Sequence, residues 1–284
     1  MVNVYTLLGK KSLDISIQCL RSLLNRSATK LRLNILEDGT LSEENIQEIK
    51  VKLDDPIILR KNQREDFICE KLRSYPNCLS LRKNLVLSHK LFDLYFLSPD
   101  NTLHYVDSDI LFLKPFAGLF ENTDNKNIFT EDIFNSYKIP FKFFFDKDKL
   151  LLPRKLNTGL FAFNRHQLDL DFLEYFLAKT YIRASNFETH WHAEQTCWGL
   201  LAMRSKSELI DVKQLSVFDK RVNNNYWNCI ALHFVSTSRG CIHEYLNDDR
   251  INNDYPVEQI STAPIKSLKM HELLYERAKR KLFK

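Results

Sequence analysis

The stretch Leu103-His104-Tyr105-Val106-Asp107-Ser108-Asp109-Ile110-Leu111-Phe112-Leu113-Lys114-Pro115 decides how this chain is read. Thr102 to Val106 has the length and composition of a buried strand. It runs directly into two carboxylates, and a second apolar run, Ile110 to Leu113, follows before Lys114-Pro115 breaks it. Ionised carboxylates are rarely delivered into an apolar framework unless a cation or hydrogen-bond donors balance them. Residues i and i+2 of a strand share a face, so Asp107 and Asp109 can address one ion. A hard divalent ion such as Mn²⁺ or Mg²⁺ typically takes one or two carboxylates and completes its shell with phosphate oxygens. The alternative is a turn capped by aspartates.

The same spacing occurs twice more. Asp146-Lys147-Asp148 lies among lysines and reads as a solvated loop. Asp169 and Asp171 fall where helix N-terminal carboxylates belong. Asp107 and Asp109 alone stand at the end of an apolar strand, the place where open α/β sheets bind ligands.

Working outward, Val2 to Leu8, Leu31 to Leu36 and Ile57 to Leu59 are strand candidates. They alternate with helices over 13–26 and from Ser42 to about Leu53, which predicts a parallel sheet with crossover helices. A single helix is predicted over 79–97, with Arg82 and Lys90 roughly on one side of it. Downstream, Asn127 to Thr130, Leu156 to Asn164 and Ile230 to Val235 read as strands, and 168–182 and 193–203 as helices. The tail from Pro264 reads as a packed or dimerising helix, ending in Arg277, Lys279, Arg280, Lys281 and Lys284. Residues 134–152 hold Phe134, Phe141, Phe143, Phe144 and Phe145 among basic residues and take no assignment; a flap over a site is one reading.

Composition narrows the function. With 41 basic and 36 acidic residues the net charge is +5, too mild to point to nucleic acid but compatible with an anionic small molecule or weak attraction to a membrane surface. The six cysteines contain no Cys-x-x-Cys pair, which argues against a zinc site or a disulfide framework. The N-terminus reads as a core strand and not as a signal peptide, so a cytoplasmic protein is expected, with peripheral membrane association compatible. Six glycines and no Gly-x-Gly-x-x-Gly after a strand argue against a dehydrogenase and for phosphate binding through a metal.

Four segments, taken in order, resemble GT-A fold glycosyltransferases of the glycogenin-like and bacterial lipopolysaccharide type. They are the Asp107-Ser108-Asp109 stretch, Leu156-Asn157-Thr158-Gly159-Leu160-Phe161, Ala193-Glu194-Gln195-Thr196 and Leu232-His233-Phe234. Val235-Ser-Thr-Ser-Arg239 stands where such enzymes usually carry Lys-Pro-Trp. The resemblance implies an α/β, mostly parallel central sheet flanked by helices. A GT-A domain would span 1–240, its nucleotide-binding half about 1–115 and its acceptor half about 116–240, with a C-terminal helical extension over 241–284. It further implies metal-dependent transfer of a sugar, a hexose by expectation and with retention favoured, from a UDP-sugar to a glycan, lipid-linked or protein acceptor.

By the same resemblance Asp107, Asp109 and His233 are the metal ligands. Thr6 and Leu7 are expected at the nucleoside, with Asp38 there or in a plain Asp-Gly turn, Arg82, Lys90, Asp107 and Ser108 at the nucleotide-sugar donor, and Arg239 at its diphosphate. Asn157, Thr158, Gly159 and Gln195 are expected at the sugar. Glu194 or Asp132 is the general base if the enzyme inverts. His190 and His192, flanking Trp191, line the acceptor side or form a plain polar loop. Two other classes compete: a non-catalytic sugar-nucleotide or glycan-binding relative, and a sugar-nucleotide pyrophosphorylase. The second lacks its Gly-rich loop here, with Gly9-Lys10-Lys11 as the only remnant.

Overall fold

The computed structural model describes residues 1–121, 126–221 and 225–282, except the side chains of 277 and 279–282. The side chains of the basic run expected at the C-terminus, Arg277, Lys279, Arg280, Lys281 and Lys284, therefore lie outside what is described.

The first third is the expected alternation of β1 (Val2–Leu8), α1 (Leu13–Arg26), β2 (Leu31–Glu37), α2 (Glu43–Lys52) and β3 (Ile57–Leu59). β1 and β2 pair in parallel from Val2↔Leu31 to Leu8↔Glu37, and β3 joins β2 in the same sense. α2 starts with a capping box, in which Ser42 and Asn45 satisfy each other's backbone amides. A further helix, α3 (Lys61–Lys71), escapes a periodicity reading because it buries only Arg64 and Ile68.

The single helix expected over 79–97 is two helices, α4 (Pro76–Asn84) and α5 (His89–Leu97). Leu85 is extended between them (φ −134°, ψ 107°), and a short 3₁₀ turn, Val86–Ser88, makes the corner. Buried charge explains the break. Arg82 folds back so that its Nε meets Asp93 Oδ1 at 2.7 Å, while Arg64 Nε from α3 meets Asp93 Oδ2 at 2.7 Å. On one straight helix residues 82 and 93 would lie about three turns, roughly 16 Å, apart and could not meet in this way. Glu65 closes the cluster by accepting from both terminal nitrogens of Arg82, at 2.8 and 3.0 Å.

The chain continues through β4 (Thr102–Val106), β5 (Ile110–Phe112), β6 (Phe116–Ala117), β7 (Asn127–Glu131) and β8 (Leu156–Asn164). Then come α6 (Leu170–Ala178), α7 (Thr180–Arg183), α8 (Ala193–Arg204), β9 (Ser207–Ile210), β10 (Leu215–Val217) and β11 (Ala231–His233). α9 (Ile242–Leu246), β12 (Glu258–Gln259), β13 (Thr262–Pro264) and α10 (Met270–Leu282) end it. Among the described residues the main sheet has eight strands in the order β13-β9-β7-β8-β4-β1-β2-β3. It is mostly parallel, with β8 antiparallel to both β4 and β7, and β13 antiparallel to β9. This is the α/β architecture expected, with one addition: the extension beyond residue 240 contributes strands as well as a helix.

The apolar run Ile110 to Leu113 does not prolong β4. The chain turns at Ser108 and Asp109, and β5 joins a separate three-stranded sheet in the order β10-β11-β5. The hydrophobic core packs Trp198 of α8 against Phe161, Phe163 and Phe129, with ring centroids 4.5, 5.1 and 6.1 Å away. Residues 134–152 form a packed wall on this core, with Tyr137, Ile139, Phe143 and Leu152 buried. Asp169 caps α6 by accepting from Phe172 N at 2.8 Å, as its position in the sequence implied. Asp146 and Asp148 are less free than a solvated loop would leave them: both are ion-paired to Lys179.

Two predictions follow from the buried cluster. Asp93→Asn leaves Arg64 and Arg82 without their shared counter-charge and should lower unfolding free energy by about 3–5 kcal/mol in urea titrations. His89, buried beside the same arginines, is held at about 4, below its ordinary 6.5, because burial disfavours the imidazolium and the nearby arginines add to that while Asp93 opposes it. The unfolded chain therefore takes up this proton first. Its contribution is complete above pH 6.5 and is lost as the pH falls through 4, amounting to about 2 kcal/mol between neutral pH and pH 5. His89→Gln should flatten that part of the stability–pH curve; an unchanged slope would refute the assignment.

Candidate metal and donor site

The turn between β4 and β5 sets Asp107 and Asp109 between the two sheets. β5 runs antiparallel to β11 with Ile110 opposite His233, and Phe234 N donates to Asp109 O at 3.0 Å. This pairing carries the His233 imidazole onto the carboxylates. Its Nε2 lies 3.1 Å from Asp109 Oδ1 and 3.6 Å from Asp107 Oδ2. Among the described residues these three form the one set of His, Cys, Asp or Glu side chains close enough to hold an ion, with ligand atoms within 4.8 Å of one another.

Asp109 Oδ1 is buried with His233 Nε2 as its polar neighbour, and His233 Nδ1 is buried and makes no hydrogen bond. Burial alone would raise the Asp109 carboxyl, but His233 and Arg239 outweigh it and hold it at about 2. Burial likewise opposes charge on His233, and the two aspartates overcome it and raise the imidazole above its usual value. Arg239 Nε and Nη2 both approach Asp109 Oδ2, at 2.8 and 2.7 Å.

Asp107 is fixed from the other side. Tyr105 Oη donates to its Oδ1 at 2.8 Å and itself accepts from Leu7 N at 3.3 Å. Lys90 Nζ, nearly fully buried, stands 3.7 Å from Asp107 Oδ1 and 3.3 Å from Glu194 Oε2, and donates to Thr158 O at 3.3 Å. Desolvation opposes charge on Lys90, but Asp107 and Glu194 keep it cationic. Glu194 sits in the first turn of α8, where carboxylates are favoured. Burial nonetheless pushes its carboxyl up to about 7 against the pull of Lys90. Its Oε2 accepts from Thr158 Oγ1 at 3.1 Å, and its Oε1 is buried with no partner.

The register of β7 against β8 shifts between Phe129 and Thr130, so Thr158, Gly159 and Leu160 have no β7 partner. Asn157 bridges the irregularity: its Oδ1 accepts from Gly159 N at 2.7 Å and Thr130 Oγ1 at 3.2 Å, and its Nδ2 faces Asp132 Oδ2 at 3.5 Å. Burial raises the Asp132 carboxyl. Gln195 Nε2 donates to Ser136 O at 3.0 Å.

These groups open onto one cavity of about 560 Å³. It brings together Lys90, Asp107, Asp109, Asp132, Asn157, Thr158, Gly159, Glu194, Gln195, His233 and Arg239 from the sequence reading. The remaining candidates lie outside its lining. Thr6 is fully buried with Oγ1 unpartnered, and Leu7 meets the site only through Tyr105. The Asp38 carboxylate packs over Gly9 and accepts from Thr40. Ser108 Oγ accepts from Ser16 Oγ at 3.2 Å. Arg82 is bound to Asp93 and Glu65 and does not line the cavity. Trp191 and His192 line the cavity and His190 does not.

The sequence reading missed Tyr105, which looked like one more core residue of an apolar strand. Its phenol two positions before Asp107, on the same strand face, was the available signal. Phe134 and the Asp219-Lys220-Arg221 turn also line the cavity, and no motif marks them.

Gly159 has a specific role. A Cβ there would stand 2.3 Å from His233 Cε1 and 2.6 Å from its Nδ1. The residue is thus needed for the imidazole to pack against β8, before any ligand is considered. Gly159→Ala should displace His233 and weaken Mn²⁺ binding by about tenfold, the scale of disturbing a ligand's support. Titration of Mn²⁺ followed by electron paramagnetic resonance checks this, and unaltered affinity would count against it.

No family model matches the chain, and no curated protein matches it. Solved structures do. The galactosyltransferase LgtC, in complex with donor and acceptor sugar analogs, aligns with a TM-score of 0.55 at 12% identity, over 89% of this chain and 97% of that one. Mouse xyloside xylosyltransferase 1 aligns with a TM-score of 0.54 at 11% identity, over 84% and 98%. The bifunctional glycosyltransferase WbbM aligns with a TM-score of 0.50 at 10% identity, over 89% and 50%. At these identities the likeness is one of fold, and the chain has the GT-A fold of these sugar transferases.

Proposed function

We propose that this protein is a metal-dependent glycosyltransferase that moves a hexose from a UDP-sugar to a hydroxyl of a glycan acceptor. The observation that carries the reading is the convergence of Asp107, Asp109 and His233 on one point of the cavity, with ligand atoms within 4.8 Å of one another. Two carboxylates and an imidazole suit Mn²⁺ or Mg²⁺, so the residues present fit such an ion. When bound, the ion supplies Lewis-acid stabilisation of the charge on a departing diphosphate.

The protein's own groups complete the arrangement. Lys90 and Arg239 supply two cationic groups at the cavity, and the guanidinium fork of Arg239 suits phosphate oxygens. Asn157, Glu194 and Gln195 offer an amide, a carboxyl and a second amide to sugar hydroxyls. Glu194 has an unpartnered oxygen for this purpose. We read the reaction as retaining, in keeping with the resemblance. Glu194 then orients the sugar, and Asp132 stays at the acceptor edge with Trp191 and His192.

Thermal-shift measurements over UDP-, GDP- and CMP-sugars, with and without Mn²⁺, test the proposal. UDP-sugars should stabilise the protein only when Mn²⁺ is present. Asp109→Ala should remove the metal-dependent part, read as the shift relative to the variant's own ligand-free melting temperature. If no sugar nucleotide stabilises the protein in a metal-dependent way, the proposal fails. If Asp109→Ala responds like the parent, the wrong carboxylates have been assigned.

A further inference from the structure

Residues 134–152 attract notice in the sequence by their aromatic and basic composition, and the site described above uses only Phe134 and Ser136 of them. The inner side of the segment is fixed. Tyr137, Ile139, Phe143 and Leu152 are in the core, and the missing side chain of Gly199 on α8 makes room for them. A Cβ on Gly199 would stand 3.0 Å from Leu152 and 3.1 Å from Tyr137.

The outer side has a different character. Phe141, Phe145 and Leu151 are 50%, 65% and 51% exposed, and the rings of Phe141 and Phe145 lie 5.3 Å apart. Lys142, Lys147 and Lys149, interleaved with them in sequence, are exposed. The acidic residues of the segment reduce this charge without cancelling it, because with Lys179 four lysines stand against Asp146 and Asp148. Lys179 pairs with Asp146 at 3.1 Å and Asp148 at 2.5 Å, and the Tyr181 and Tyr175 hydroxyls donate to the same two carboxylates.

Exposed aromatic rings on a firm base, interleaved in sequence with exposed lysines, match the chemistry of a lipid interface. The rings enter the headgroup boundary and the ammonium groups meet anionic headgroups. A protein partner is the poorer match, because interface cores are depleted in lysine. We propose that the outer side of residues 141–151 docks on an anionic membrane surface.

The segment is tied to the first turns of α8, which line the cavity. Gln195 donates to Ser136 O, and Lys138 N donates to Thr196 Oγ1 at 2.9 Å. Ser136 and Lys138 thus fasten the N-terminal end of the segment to the wall of the cavity. On the transferase reading, on which this clause alone rests, the acceptor is a glycan anchored in that surface.

The test is co-sedimentation of the full chain with vesicles of phosphatidylcholine alone or mixed with phosphatidylglycerol, at low and high salt. The protein should pellet with the anionic vesicles at low salt and be released by high salt. Changing Lys142, Lys147 and Lys149 together to Gln should weaken binding about a hundredfold, and Phe141→Ser with Phe145→Ser about tenfold. Both variants should keep the parent melting temperature and its response to UDP-sugars with Mn²⁺. The vesicle result and the transferase reading can then fail separately. The proposal is overturned if the parent ignores anionic vesicles, or if both variants pellet as it does. It is equally overturned if sedimentation shows a dimer that the Phe141/Phe145 variant abolishes while no vesicle binding occurs, for then a second copy covers this face.

Discussion

The turn at Asp107-Ser108-Asp109 passes the chain from one sheet to another, and the site follows from that handover. β4 belongs to the large sheet and β5 to the small one. Had Ile110 to Phe112 simply prolonged β4, Asp109 would sit in a continuous strand with β8 and β1 as neighbours. The reversal instead sends β5 antiparallel to β11, and the ladder that forms sets His233 opposite Ile110. A backbone register thus delivers an imidazole to within 3.1 Å of a carboxylate 124 positions earlier in the chain. The apolar residues flanking the turn anchor both ladders, which is why two acids can be held so deep in the framework.

Around that turn, charge is balanced in two separate compartments. On one side Asp107, Asp109 and Glu194 face Lys90, His233 and Arg239. On the other, Arg64 and Arg82 enclose Asp93 one helical turn away from Lys90. The second compartment positions the first. It bends the chain at Leu85, and the bend orients the start of α5 so that Lys90 enters the cavity. Burial of ion pairs contributes little net stability compared with apolar packing, but it makes the wrong arrangement very unfavourable, and here that specificity sets a helix corner.

The legible parts of the sequence are those where a local pattern and the tertiary environment agree. The β-α-β-α-β alternation, the Ser42 capping box and the Asp169 cap are written in spacing alone. Asp107, Asn157, Glu194 and His233 could be read because each sits beside an apolar strand or a helix start that announces its element. The rest depends on distant partners. Nothing near Leu85 marks a break, since its cause is Asp93 pairing with Arg82 and Arg64. α3 has no apolar stripe to reveal it because a buried arginine takes the place of one. Gly159 looked like an allowance for a ligand, whereas its immediate neighbour is an imidazole from the far end of the domain. Tyr105 was hidden by the very apolarity that identified its strand.

The sheet's two margins have a consequence for how the molecule behaves in crowded solution. An open eight-stranded sheet presents unpaired backbone groups at both ends, and such rows invite other chains to add strands. Here one margin is β3, only three residues long. The other is β13, equally short and closed by Pro264, which has no amide hydrogen to offer. A neighbour seeking to extend the sheet finds too little backbone on either side to form a lasting ladder. The late strand that joins β9 is therefore also a guard against self-association, and losing it would expose the longer edge of β9 to other chains.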